Sequence, residues 1–191
     1  MHEVAEIAKQ ISQADIEKMA EELAMLRHTK SKLWIIGLGG SMANAIHMAA
    51  DLRKLCDINA EAFDNIAELT ARANDEGLET IFVDWLSRRG LADMLMVLSV
   101  GGGTDKVSTA ICRAIDAFVG QTLKGFTPEN YGHLAMGIVG PDGGYTAQKA
   151  KYVVKIPAPA GRITPHTEAF QMVVIHCLVS HPLLQKRPTV W

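Results

Sequence analysis

The sequence predicts an α/β protein built on a parallel β-sheet with helices on both faces. Short apolar runs at 33–36, 94–98, 134–139 and 152–156, with a weaker one at 59–63, alternate with segments of helical periodicity, which is the βαβ rhythm of such a sheet. Three of the runs hand over to glycine-rich turns, "GLGGS" at 37–41, "SVGGGT" at 99–104 and "GPDGG" at 140–144, at the strand ends where open parallel sheets place their ligands. The length of 191 residues suits one domain able to bury a large core without disulfides or metal.

Taken in order, Val4, Ile7, Ile11, Ile16, Met19, Ala20, Leu23 and Leu26 recur at three- and four-residue spacing, so the chain opens with one or two amphipathic helices that need a surface to pack on. The strand at 33–36 leads through the first glycine turn into a helix, and the remaining runs follow with helical segments between them. A long helix is expected over 167–179, preceded by Pro165, and "HPLLQKRPTVW" ends the chain as an irregular tail. The stretch "FVGQTLKGFTPENYGH" at 118–133, rich in glycine and turn formers, reads as a loop insertion. The expected organisation is a single domain of helical segment 1–30, α/β core 31–180 and tail 181–191.

The chain is 48% hydrophobic and 21% charged with a formal net charge of -2, which leaves no electrostatic footprint for nucleic acid or an anionic membrane. Cys56, Cys112 and Cys177 are widely spaced and odd in number, so they offer neither a disulfide framework nor a metal knuckle; they are expected as buried thiols in a reducing compartment. The acidic, amphipathic opening lacks the apolar stretch of a signal peptide, and no segment holds ~18 uninterrupted apolar residues. A cytoplasmic protein with no membrane or nucleic-acid partner is expected.

Glycine lets the backbone approach a ligand closely and aim several N–H groups at one spot, and a helix start adds partial positive charge, so the three turns suit a phosphate. Ser41, Ser99 and Thr104 are candidate hydroxyl donors. Any one turn could serve only to reverse the chain; three on one rim favour a ligand. "GLGGSM" is not the G-x-G-x-x-G of dinucleotide sites, because its third glycine falls one place early, and the ending of a Walker A loop is missing.

The helix after the first turn carries Asn44, His47, Asp51 and Lys54 on one stripe, with His47 and Asp51 four apart and able to reach one ion or each other. The stripe reads as a solvated polar face or as a ligand-bearing one; imidazole and carboxylate suit zinc without excluding iron, manganese or nickel. His166 reads as a surface residue or a polar substrate contact, and His2, His28, His133 and His181 carry no evident role. Met94, Met96, Met136 and Met172 are read as core.

Together these motifs resemble a known family. "GLGGSMANAIHMAADL" at 37–52 resembles the "GNGGSxxDAxHFAxEL" signature of bacterial phosphoheptose isomerases, members of the SIS (sugar isomerase) superfamily. "ANDEG" at 73–77 resembles their Asn-Asp turn, "LSVGGGT" falls at their Ser-Thr-Ser-Gly phosphate loop, "GPDGG" resembles a later turn, and "TEAFQMVVIH" resembles their closing "QEVHxxxIH" helix. The resemblance implies a three-layer sandwich around a five-stranded parallel sheet, with the N-terminal helices packing outside, assembled as a homotetramer with active sites shared between subunits. It implies conversion of sedoheptulose 7-phosphate to a heptose 7-phosphate, toward the heptose of surface polysaccharides. By position it puts Gly39, Gly40, Ser41, Ser99, Gly101 and Thr104 around the phosphate end of the substrate and Asn74 and Asp75 against the sugar. It puts His47, Asp51, Glu168 and His176 at a divalent metal, zinc in the family, with His176 and Asp51 also acting as base and acid and Glu168 also touching substrate. The chain departs from the pattern at Leu38, Val100 and Gly101, which replace polar residues, at Asp51, which replaces a glutamate, and at Glu168, which replaces a glutamine.

Glu168 and His176 are eight residues apart, about 12 Å along a regular helix, so one ion could hardly take both from a single straight helix. Either Glu168 precedes a helix that starts later, or the two serve different sites in neighbouring subunits. Two functions remain open: a ketose–aldose phosphosugar isomerase, or a non-catalytic sugar-phosphate-binding module with a regulatory or scaffold role, which the losses at Leu38, Val100 and Gly101 favour.

Overall fold

A computed structural model of the chain describes residues 2–104, 106–120 and 134–189. Helices α1 (His2–Gln10) and α2 (Gln13–Thr29) lead into β1 (Leu33–Ile36), α3 (Gly40–Cys56), β2 (Ala60–Ala62) and α4 (Ile66–Asp75). A 3-10 turn at Leu78–Thr80 and α5 (Val83–Ser87) precede β3 (Met94–Ser99), α6 (Thr109–Val119), β4 (Leu134–Val139), α7 (Gly144–Lys149), β5 (Tyr152–Lys155) and α8 (Ile163–Val179). From residue 121 on, the expected 118–133 insertion lies outside the described residues, His133 included.

The strands form one parallel sheet in the order β2-β1-β3-β4-β5. Alternate residues of each central strand feed two separate cores. Leu33, Ile35, Met94, Met96, Leu98, Met136 and Ile138 join a core shared with α2, α3 and α8. Trp34, Ile36, Leu95, Val97 and Ala135 join one shared with Phe82, Trp85 and the buried side of α6. This split explains why the runs are apolar throughout: a pleat alternates its side chains between two faces, and here helices cover both.

The N-terminal helices flank the sheet, α2 as part of the layer itself: Met19, Ala20, Leu23 and Leu26 have no exposed surface, and the helix packs on β5 and α8. Arg27 then donates to the carbonyls of Cys56, Leu183 and Leu184, which pins the irregular tail over the end of α3. At the opposite edge of the strands, Asp93 accepts from the backbone N–H of Lys32 at 2.8 Å, Trp34 Nε1 at 2.8 Å and the backbone N–H of Gly90 at 2.7 Å, tying β1 to the start of β3.

Two expectations change. Helix α8 starts at Ile163, not 167, because Pro165 falls in the first turn, where an N–H has no intrahelical partner to lose. Cys56 and Cys112 are buried, but Cys177 is exposed on the outward side of α8. Burial pushes the Cys56 thiol up to about 11. No helix among the described residues is long and apolar enough to cross a membrane.

Candidate active site

From β1 the chain turns into α3 on one face of the sheet, and from the adjacent β3 it turns into α6 on the other. Such a reversal opens a crevice at the carboxyl ends of the two strands, the place where doubly wound sheets bind ligands. The first and second glycine turns flank it.

The first turn bends at Gly39, whose φ of 59° and ψ of -129° suit glycine, and α3 begins there with neither a side-chain cap nor an acidic residue in its first turn. The carboxylate of Glu168 lies over this helix start: a Cβ added to Gly40 would stand 2.7 Å from its Oε1 and closer still to its Oε2. The helix dipole therefore meets a built-in anion, which disfavours a phosphate at the same spot. Ser41 is buried and donates to Gln171 Oε1 at 3.1 Å, so its hydroxyl points into the helix layer rather than to the rim.

In the second turn, Ser99 Oγ accepts from the Gly102 N–H at 3.0 Å. The Thr104 hydroxyl donates to Val107 O and accepts from the Val107 N–H, each at 2.9 Å, so its proton is used within its own turn. Of the three expected hydroxyl donors, Ser99 keeps its proton uncommitted among the described residues. Gly101 is exposed, with nothing within 4 Å of where a Cβ would sit.

The third turn serves the second. Gly102 O accepts from the Thr146 N–H at 2.8 Å and from Thr146 Oγ1 at 2.7 Å, Gly103 O accepts from the Tyr145 N–H at 2.9 Å, and Val100 O accepts from the Gly140 N–H at 3.0 Å. The expected phosphate-binding role for "GPDGG" gives way to this one, because the N–H groups of Gly140, Gly143, Tyr145 and Thr146 already have backbone partners. Asn74 and Asp75 form the exposed last turn of α4, where Asn74 Nδ2 donates to Asp75 Oδ1 at 2.8 Å. Among the described residues no hydrogen bond joins them to the glycine turns or to the histidines.

Helices α3 and α8 run side by side in the same sense: Asn44 meets Glu168 and Gln171, and further along His47 and Asp51 meet His176. His47 Nε2 stands 3.1 Å from Asp51 Oδ2, and His176 Nε2 stands 3.9 Å from the same oxygen and 3.4 Å from His47 Nε2. The side chains of His47 and His176 are 50% and 56% exposed, that of Asp51 22%. Two imidazoles and a carboxylate, all within 4.8 Å of one another and open on one side, are a donor set that fits a divalent cation with room for a further ligand.

Glu168 stands apart from this set. Helix α8 is unbroken from Ile163 to Val179, which removes the option of a late start; Glu168 stays about 12 Å along the axis from His176 and faces Gly40 instead. Two other histidines turn out to be ties between elements. His166 Nε2 lies 3.1 Å from Glu3 Oε2, fastening α1 to the start of α8, and Arg162 with His166 holds the Glu3 carboxyl below its usual range. His181 Nε2 lies 3.0 Å from Glu17 Oε2 on α2. Gln171, fully buried between α3, α8 and β4, gained no role from the sequence; a glutamine on the inward face of an apolar helix was its signal.

No protein-family model matches the chain. It is 29% identical over 181 residues to the phosphoheptose isomerase of Geotalea daltonii, covering 90% of this chain and 83% of that protein. It is 24% identical over 179 residues to the phosphoheptose isomerase of Fusobacterium nucleatum, covering 91% and 84%. Its fold matches that of the phosphoheptose isomerase from Neisseria gonorrhoeae with a TM-score of 0.75 at 24% identity, over 93% of this chain and 90% of that one. The chain resembles the bacterial phosphoheptose isomerases over most of its length and has the SIS fold. The SIS architecture accounts for the five-stranded parallel sheet with flanking helices expected from the sequence.

Proposed function

We propose that the chain is a ketose–aldose phosphosugar isomerase that converts sedoheptulose 7-phosphate to a heptose 7-phosphate for surface polysaccharide. The observation that carries the proposal is the convergence of His47, Asp51 and His176 within 4.8 Å on the two helices nearest the ligand-binding rim. Moving the carbonyl from C2 to C1 requires taking a proton from C1, passing through an enediol and returning a proton to C2, while a hydroxyl proton moves from O1 to O2. His176 and Asp51 supply the base and the acid; a positioned group of this kind contributes roughly 100- to 10,000-fold. His47, Asp51 and His176 would hold the divalent ion, zinc by the character of the donor set, and the ion when bound polarises the carbonyl.

The phosphate belongs to the second turn, at Ser99 and Gly101, in a loop shaped by Thr104 and held by the third turn. The first turn at Gly39 and Gly40, with the Glu168 carboxylate over it, suits the hydroxyls of the sugar, which donate where a phosphate would be repelled. His47 and His176 face outward about 10 Å along α3 from Gly40, beside the exposed Ile46 and Val173. A second copy completes the site in this reading, with its turns, or its Asn74 and Asp75, brought against the outward cluster; the assembly is a homo-oligomer, a tetramer by resemblance. Three widely spaced cysteines that offer no disulfide framework favour a reducing compartment, the cytoplasm. A regulatory or scaffold module would have no physical need of the convergent trio.

The test is metal analysis of the purified protein followed by turnover of sedoheptulose 7-phosphate. A near-stoichiometric divalent metal is expected, and a His47→Ala/His176→Ala double variant should lose turnover by at least ~100-fold. Intact turnover in the double variant refutes the mechanism. A wild-type protein that binds the sugar phosphate without turning it over is the binding module instead.

A further inference from the structure

We infer that Gln171 is a positioning residue: its buried amide fixes the rotation and register of α3 against α8 and so sets His47 and Asp51 against His176. The inference rests on the reading of those three side chains as a metal-holding set. Gln171 has no exposed surface. Its Oε1 accepts from Ser41 Oγ at 3.1 Å and from Asn44 Nδ2 at 3.0 Å, both on α3, and its Nε2 donates to Ile138 O of β4 at 3.2 Å. Asn44 Nδ2 also donates to Glu168 O at 2.9 Å, so the first two turns of α3 are joined to the middle of α8 by three directional bonds, and Gln171 refers them to the sheet.

These bonds supply what the apolar contact cannot. Met48, Leu52 and Leu55 anchor the later turns of α3 in the core, but its first two turns bury only Ser41 and Ala45, small side chains that do little to fix the rotation of the helix start. A single buried polar group is a recognised way of fixing register between helices. Within α3 the His47–Asp51 distance is set by helix geometry, but the 3.4 Å and 3.9 Å separations to His176 cross between helices. A rotation of α3 by ~20° sweeps a side-chain tip, about 5–6 Å from the axis, through roughly 2 Å. Metal–ligand distances tolerate only about 0.2 Å. Asn44 lies on the same stripe as His47 and Asp51, three and seven residues before them, so the group that Gln171 grips directly orients that stripe.

The probe is Co2+, titrated into the wild type, Gln171→Leu and Asn44→Ala and followed by visible absorption, with far-UV circular dichroism and thermal unfolding alongside. Gln171→Leu should bind Co2+ roughly 10- to 100-fold more weakly with an altered absorption spectrum, the range seen when groups that orient metal ligands are removed. Asn44→Ala, which removes the two Asn44 bonds at a half-buried position and leaves those of Gln171 to Ser41 and Ile138, should shift in the same direction by a smaller factor, and decides the question if Gln171→Leu does not fold. A lower unfolding temperature with wild-type Co2+ affinity and spectrum in the folded variants makes Gln171 merely structural and overturns the inference. A wild type that binds no Co2+ overturns it too, since no ligand set then exists to be positioned; turnover of sedoheptulose 7-phosphate by that same protein would leave the isomerase standing without it.

Discussion

Replacing Gly102 by alanine tests whether the second and third glycine turns are locked together. Gly102 has φ 68°, a left-handed conformation that costs an L-residue roughly 1–2 kcal/mol. The new Cβ would stand 2.5 Å from the carbonyl carbon of Gly143, closer to its oxygen, and 3.0 Å from Gly144 N. All three are backbone atoms, so no side chain can swing aside, and overpacking of about 1–3 kcal/mol follows as the turns part. The sum, about 2–5 kcal/mol, translates at roughly 2–4 °C per kcal/mol into a melting temperature lowered by roughly 4–20 °C for a chain of this size. Gly101→Ala is the control one residue away: its φ is not positive, nothing lies within 4 Å of the new atom, and its stability should stay within about 0.5 kcal/mol of wild type. Both variants are read by thermal unfolding followed by circular dichroism. If Gly102→Ala melts within ~2 °C of Gly101→Ala, the locking of the two turns is wrong.

Further outcomes follow from the core. Asp93→Ala leaves the Lys32 and Gly90 N–H groups and the Trp34 indole without their acceptor, and urea unfolding should register a loss of roughly 2–4 kcal/mol; less than ~1 kcal/mol would mean water replaces it. A disulfide reagent at pH 8 should modify Cys177 at once and spare Cys56, which with a thiol at about 11 is ionised in roughly one molecule per thousand, until the chain is denatured. Because the folded thiol of Cys56 is raised above its ordinary 9.0, its contribution to stability is complete below about pH 9 and is lost as pH rises through about 11. The wild-type unfolding midpoint should therefore fall more steeply over that interval than that of Cys56→Ala.

Much of the scaffold can be read directly from residue order. The central strands show as uninterrupted apolar runs because both faces of the sheet are covered, and even the three-residue β2 falls inside the weak run at 59–63. The start of α8 lies earlier than the sequence suggests because Pro165 reads as lying just ahead of the helix, whereas it sits within a first turn that does not need its N–H. Within the site, the His47–Asp51 pair is local and four residues apart, hence visible. The pairing with His176 crosses 125 positions of sequence and enters only through family resemblance. Ser41 and Thr104 look like ligand donors in sequence because residue type does not reveal direction: one hydroxyl points into α8 and the other folds back on Val107. The exposure of Cys177 is hidden for the same reason, since an apolar neighbourhood in sequence can still face outward on a helix.

The carbonyls of Val100, Gly102 and Gly103 all accept from the third turn, so the second turn already holds one shape before any ligand arrives. A loop tied in this way surrenders little conformational entropy on binding, and its affinity is not eroded by having to order itself. If the second turn holds the phosphate as proposed, the same ties remove induced fit from that end of the crevice, and the turn would meet its ligand as lock meets key. On that proposal, a change of preferred ligand comes from altering the lining atoms, as Val100 and Gly101 do, and the adaptable part of recognition moves to the side of the crevice formed by Glu168 and the start of α3.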